Sequence, residues 1–175
     1  MEQIPKENLI DKAKEFASQK FEAAGLKNHY LEVCDILQNE FNIDDESILV
    51  AAILHDTLED TETTYEEIEA EFSKDIADYV KEVSHPKNYN KDQKEEYYRN
   101  LKDISAGAKM IKLADFTSHL RKFIGAFTGT SNYPKMTHNE YVLKIKAFLE
   151  SCEESKAKGL VFDLADELDG LIKRG

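Results

Sequence analysis

Cysteine, proline and arginine are all scarce in this chain, and each scarcity narrows what it can be. The two cysteines, Cys34 and Cys152, lie far apart and lack metal-site spacing, so they read as reduced thiols of a cytoplasmic protein rather than a disulfide framework. Prolines stand only at positions 5, 86 and 134, leaving long stretches in which a helix can run unbroken. Arginine occurs only as Arg99, Arg121 and Arg174, and 35 acidic residues against 23 basic ones give a formal net charge of -12. Such a surface repels a nucleic-acid backbone, so no nucleic-acid polymer is expected as a partner. A small phosphorylated ligand held through a cation is still admissible, because a cation attracts phosphate oxygens even in an acidic protein. No run of about 18 apolar residues occurs, and the N-terminal stretch MEQIPKENLIDKAKEF has no apolar signal core. Neither a membrane span nor export is expected.

What is present is ordinary globular material. Hydrophobic residues make up 41% and aromatics 10% of 175 positions, enough for residues 1–175 to form one domain around one core. Apolar residues recur at helical spacing almost throughout, and no strand-like alternation with hairpin turns interrupts them. The expected fold class is all-α, a single bundle of about eight to nine helices. The spacing predicts helices from about Glu7 to Gly25, Asn28 to Asn39 and Asp45 to Leu58, the last carrying the apolar run Ile48 to Leu54. Thr64 followed by Glu67 predicts a capping box and a short helix to Phe72. Further helices are expected from Lys74 to Val83, Lys91 to Lys102, Ser105 to a loop at 128–134, Thr137 to Ser155 and Gly159 to Lys173.

The chemistry concentrates at the end of the most apolar helix, in Leu54-His55-Asp56-Thr57-Leu58-Glu59-Asp60-Thr61. On one continuous helix His55 and Glu59, and Asp56 and Asp60, would stand four apart and face one neighbourhood. Packed carboxylates repel one another unless a cation sits among them. Imidazole together with carboxylate suits a first-row divalent metal, whereas oxygen ligands alone would suggest magnesium or calcium. One helix cannot encircle an ion, and His29 and Asp115 are the candidates to complete the set. Read alone, each has a bland alternative: His29 as a helix-start or core histidine, Asp115 as an exposed carboxylate.

The run Ala52-Ile53-Leu54-His55-Asp56-Thr57-Leu58-Glu59-Asp60-Thr61 resembles the A-x-L-H-D-x-x-E-D-T signature of the RelA/SpoT-type HD hydrolases. His29-Tyr30-Leu31-Glu32-Val33 is similar to that family's H-P-x-x-V, and Lys112-Leu113-Ala114-Asp115 to its K-L-A-D. The resemblance runs from about Phe16 to Phe148. It implies that His29, His55, Asp56 and Asp115 are ligands of one divalent ion, typically manganese, and that Glu59 and Asp60 are the catalytic carboxylates. It also implies a small nucleotide substrate, with removal of the 3′-pyrophosphate from guanosine tetra- or pentaphosphate as the reaction.

Other positions transfer less directly. Lys87 resembles a lysine held near the substrate and reads equally as a solvated loop charge. Tyr141, in Glu140-Tyr141, resembles a nucleotide-contacting tyrosine and reads equally as a half-buried core residue. Where the family carries a basic segment, this chain has Lys20-Phe21-Glu22-Ala23-Ala24-Gly25-Leu26-Lys27-Asn28, with Lys20 kept as a substrate-binding candidate but no arginine. After Asp115 the family continues R-x-x-N, whereas this chain reads Phe116-Thr117-Ser118-His119. His119 stands one turn after Asp115, as a donor to substrate, a proton shuttle or an ordinary supporting histidine. The expected activity is therefore metal-dependent hydrolysis of a small nucleotide, (p)ppGpp first. A phosphatase acting on another nucleotide or phosphorylated metabolite and a non-catalytic nucleotide-binding module are the alternatives. His85 and His138 are expected to be exposed, with a place facing the cleft beside Lys87 as the alternative for His85, and Tyr97 and Tyr98 are expected to serve packing.

Overall fold

The structure, a computed structural model, describes residues 8–25 and 29–174. Among the described residues every regular element is helical. In chain order these are α1 Leu9–Ala23, α2 Tyr30–Asp35, α3 Glu46–Leu54, α4 Thr57–Asp60, α5 Tyr65–Glu71, α6 Lys74–Val83, α7 Lys91–Asn100, α8 Ala106–Thr128, α9 Glu140–Leu149 and α10 Lys156–Arg174. No helix is long and apolar enough to cross a membrane among the described residues. The all-α expectation holds, and its eight to nine helices become nine of six residues or more plus the four-residue α4.

Helix starts follow capping chemistry, in which a side-chain oxygen takes one of the N–H groups that the first turn leaves unpaired. Asn8, Asp45, Thr64, Ser73, Asn90 and Ser105 all cap in this way. The capping box expected at Thr64 is only half formed. Thr64 accepts from the Glu67 backbone N–H, but the Glu67 carboxylate pairs with Lys20 at 2.5 Å. The reciprocal box forms at Asn90 and Gln93 instead.

Several boundaries differ from expectation. Glu7 and Asn28 lie outside the described residues. The second helix gives way after Asp35 to a π-turn, Ile36–Glu40, and α7 ends at Asn100 in a short 3₁₀ turn, Leu101–Asp103. The predicted Thr137 to Ser155 helix shrinks to α9, and α10 begins at Lys156, ahead of Gly159. The most consequential difference is a break at His55–Asp56, where the single helix expected through Leu58 divides into α3 and α4.

That break has a cause in the hydrogen bonds around it. The last four carbonyls of a helix have no intrahelical partner, and here side chains take several of them. His55 Nδ1 donates to the Ala52 carbonyl at 2.7 Å, Thr57 Oγ1 to the Leu54 carbonyl at 2.7 Å, and Ser84 Oγ to the His55 carbonyl at 2.7 Å. The sequence just before it, Leu49 to Leu54, is wholly buried. A fixed, buried helix thus presents His55 at its end rather than along its side.

Two apolar clusters flank the site. One gathers α1, α2, α3, α5, α6 and the start of α8; the other gathers α9, α10 and the rest of α8. Helix α8 is the spine of both, with Ile111 and Ala114 in the first and Leu113, Phe116 and Leu120 in the second. Asp115 lies between them and only 5% of its surface is exposed.

Candidate metal centre

Three segments deliver the four residues expected to converge. His29 precedes α2, and its carbonyl accepts from the Glu32 and Val33 N–H groups while its side chain makes no cap bond. The backbone therefore starts the helix and the imidazole is left for the site. His55 and Asp56 occupy the α3–α4 break, and Asp115 lies in the middle of α8. Asp115 Oδ1 stands 3.2 Å from His29 Nε2 and 3.8 Å from His55 Nε2. Asp56 reaches His55 Nε2 at 3.1 Å through Oδ1 and His29 Nε2 at 3.9 Å through Oδ2.

These separations fit a cation. Donors about 2.0–2.2 Å from a first-row divalent ion lie about 3 Å apart at right angles and somewhat more at wider angles. One donor atom each from His29, His55 and Asp56 fall within 4.8 Å of one another. His55 Nε2 is buried and has no hydrogen-bond partner; the nearby Asp56 oxygen is close but misaligned for a hydrogen bond. An orphaned buried ring nitrogen is costly unless something else occupies its lone pair. The Nδ1–H bond to Ala52 fixes the tautomer in which Nε2 carries that lone pair, as in histidines that ligate metals. Two imidazoles and two carboxylates suit manganese, iron, cobalt or zinc.

The electrostatics follow from burial and proximity. Burial alone would lower the His55 pKa, but the Asp56 and Asp115 carboxylates outweigh it and push it up to about 9 in the metal-free protein. Burial would raise Asp115, but Lys112 and His119 beside it hold its carboxyl well below the usual range. Lys112 is buried and donates to Asp115 Oδ2 at 2.6 Å; that partner overcomes burial and holds the ammonium pKa well above normal.

The site opens into a cavity of about 460 Å³. Glu59 and Asp60 line it beside Asp56. Burial, with Asp56 adding to it, raises the pKa of both, opposed by His85 at Glu59 and by Lys87 at Asp60. The lining also includes the aromatic rings of Tyr97, Tyr98, Phe116, Phe123, Tyr133 and Tyr141.

His119 and Tyr141, both substrate-binding candidates, line this cavity. His119 Nδ1 sits 2.9 Å from Asp115 Oδ1, so His119 braces the aspartate that His29 also touches. Tyr141 is half-buried, with burial raising its hydroxyl pKa. The other two candidates are not brought to the cavity wall. Lys20 is engaged with Glu67 and lies over the Phe16 ring. Lys87 is exposed and acts on Asp60 only through its charge.

His85 takes the cleft-facing alternative rather than the exposed place first expected of it, and sequence reasoning missed its pairing with Glu59. It lines the cavity and places Nε2 3.1 Å from Glu59 Oε1, with its side chain only 11% exposed. It also missed the cavity role of Tyr97 and Tyr98. A histidine directly after a helix end and before proline was the available signal, because such a loop is short enough to be pinned. His138 is exposed, as expected.

The profile of the HD-domain family matches residues 8–132, a span that contains all four converging residues and both carboxylates. The chain belongs to the HD-domain family. Within it, the chain is 40% identical over 122 residues to guanosine-3′,5′-bis(diphosphate) 3′-pyrophosphohydrolase MESH1 of Xenopus tropicalis, covering 65% of this chain and 68% of that protein. It is 33% identical over 135 residues to the Mus musculus protein of the same name, covering 76% and 75%. A solved structure described as a metazoan ortholog of SpoT that hydrolyzes ppGpp superposes with a TM-score of 0.70 at 25% identity, covering 98% of this HD-domain chain and 97% of that one. The match therefore extends over the helices beyond residue 132 as well as the family core.

Proposed function

We propose that this HD-domain protein is a metal-dependent hydrolase that removes the 3′-pyrophosphate from guanosine 3′,5′-bis(diphosphate), with manganese as its ion. The observation that carries the reading is the convergence of His29, His55, Asp56 and Asp115 beside a cavity that His29, Asp56 and Asp115 line together with Glu59, Asp60 and several aromatic rings. The names of the relatives give the substrate to test first.

A bound divalent ion supplies acidity to water and offsets charge on phosphoryl oxygens. The protein's own groups do the rest. Glu59, its pKa raised toward the working range by burial, takes a proton from the attacking water, which is the task of a general base. Asp60, the next residue, also lines the cavity and orients that water. The rings of Tyr98 and Tyr141 present apolar faces and edges against which a nucleobase can stack. Lys112 also lines the cavity, but its ammonium donates to Asp115.

A second reading, hydrolysis of another nucleotide or phosphorylated metabolite, has one observation in its favour. No arginine is among the residues lining the cavity, and Lys20, from the segment that is basic in the family, is tied to Glu67. Incubation of the purified protein and manganese with ppGpp and with a panel of nucleoside 3′- and 5′-phosphates separates the two. Release of pyrophosphate from ppGpp supports the first; orthophosphate released from another substrate, with ppGpp intact, supports the second. No turnover of any of them would leave the non-catalytic module.

A further inference from the structure

His85 and Glu59 meet in a way that fixes how many protons they hold. His85 Nδ1 lies 3.1 Å from the Pro86 carbonyl oxygen, which can only accept, so Nδ1 carries a hydrogen. Its Nε2 lies 3.1 Å from Glu59 Oε1. If Nε2 were bare and Glu59 ionised, two lone pairs would face each other across that contact. One proton between them removes the conflict, either as imidazolium against carboxylate or as neutral imidazole accepting from the carboxylic acid.

The loop that holds His85 is anchored to the site on several sides. Ser84 Oγ lies 2.7 Å from the His55 carbonyl, tying the loop to the break that presents the metal-binding residues. The Tyr97 hydroxyl donates to the Val83 carbonyl. The His85 ring stacks on Tyr89 with centroids 5.7 Å apart and meets the edge of Tyr97 at 4.9 Å. Such a ring is pre-positioned rather than free to swing toward solvent.

We propose that Glu59 and His85 form a dyad that holds one proton at rest, with His85 acting through Glu59 as the second proton carrier of the hydrolysis. The charged groups facing Glu59 are Asp56 and Asp60 on its own segment, Lys112 from α8 and His85 itself. The imidazole faces Tyr89 and Tyr97. This inference rests on the hydrolase reading above. In the step it describes, a water O–H bond breaks and its proton passes to the dyad through Glu59. The water oxygen bonds to phosphorus as the bond from phosphorus to the leaving oxygen breaks. The leaving oxygen keeps the electron pair and takes one proton from the dyad, which ends as it began. Water is the only co-reactant.

The test is the pH dependence of kcat for wild type, His85→Gln and His85→Ala with manganese, after circular dichroism and metal content show that all three are folded and loaded. Glutamine keeps an N–H near the Nε2 position but cannot pass a proton. The expected result is that both variants lose about a hundredfold in kcat, with KM within about twofold, and that the alkaline limb of the wild-type profile disappears. Unchanged kcat, a uniform loss that leaves both limbs in place, or recovery by glutamine would overturn the dyad. An inactive wild type would count against the hydrolase reading instead, and the ring ¹⁵N signals of His85 then decide the dyad alone. Glu59→Gln is expected to shift the Nε2 signal, and an unshifted Nε2 signal overturns the proposal. The same spectra serve if neither His85 variant folds.

Discussion

The Nε2 atom of His29 lies 3.2 Å from Oδ1 of Asp115, across 86 positions of sequence. Asp115 also accepts from Lys112 at 2.6 Å through its other oxygen and stands 2.9 Å from His119 Nδ1. One carboxylate thus links His29 to the buried ammonium of α8, and much of the site depends on it.

The Lys112–Asp115 pair is buried on both sides, with 8% and 5% of each residue exposed. Breaking such a pair from one side strands a buried charge and costs about 3–5 kcal/mol, whereas replacing both partners with apolar residues is far less costly. Lys112→Met is expected to lower the stability of the metal-free protein by that amount, and Lys112→Met with Asp115→Leu to recover most of it. Urea unfolding of the three proteins in chelator checks both statements. Equal stabilities of wild type and the Lys112 variant would contradict them.

Stability of the metal-free protein should depend on pH in a definite direction. His55 is raised to about 9 from 6.5, so its contribution is complete below about 6.5 and is lost as pH rises through about 9. Asp115 is held well below its usual value, so its contribution is present above about 4 and is lost as pH falls through the depressed value. Stability is therefore greatest between about pH 4 and 6.5 and declines toward pH 9.5. Urea midpoints at pH 5.5 and 9.5 in chelator report the difference. A cation needs the deprotonated imidazole, so added manganese should reverse this order, and a midpoint at pH 5.5 that responds to manganese as strongly as at pH 9.5 would count against it.

Much of this was legible in the sequence, and the boundary between what was and was not is physical. The apolar run Ile48 to Leu54 announced a buried helix, and His55-Asp56 with Glu59-Asp60 announced the site, because burial and ligand chemistry are carried by residue type. The break at His55–Asp56 was not legible, since it depends on Ser84, 29 positions away, taking the His55 carbonyl. The same loop carries His85 to Glu59, a pairing that no local spacing encodes. Lys20 has a partner that the sequence hid for a similar reason. Its charge fitted a substrate role, but Glu67, 47 positions on, lies within 2.5 Å and engages it.

Lys20 is accordingly expected to be dispensable for turnover. Lys20→Ala should leave KM within about twofold and stability within about 1 kcal/mol, the usual worth of a partly exposed ion pair. A tenfold rise in KM would show that Lys20 leaves Glu67 to reach substrate.

The aromatic lining depends on a tight return of the chain after α8. Gly129 adopts φ 79°, the left-handed conformation that ends the helix, and the N–H groups of Thr130 and Ser131 both donate to the Gly125 carbonyl. A Cβ at Gly125 would come within 2.7 Å of the Ser131 Cβ, so Gly125→Ala should displace the loop. Tyr133, which meets Phe123 edge-on at 5.2 Å, would move with it. KM should rise about threefold to tenfold, matching the roughly 0.5–1.5 kcal/mol of one aromatic pair, with metal content unchanged. An unaltered KM would remove Tyr133 from substrate recognition.

The proposed hydrolysis needs one ion shared by residues from separate helices, and manganese titration of the metal-free protein, followed by calorimetry, tests that sharing most directly. Wild type is expected to bind one ion per chain, and His55→Ala and Asp115→Asn, each shown to be folded, to lose that binding by at least about a hundredfold in affinity, the upper end of the loss seen when a residue that only supports a ligand is changed, because a ligand itself is removed. Folded variants that bind manganese as tightly as wild type would contradict the shared site, and with it the hydrolysis proposed to depend on it.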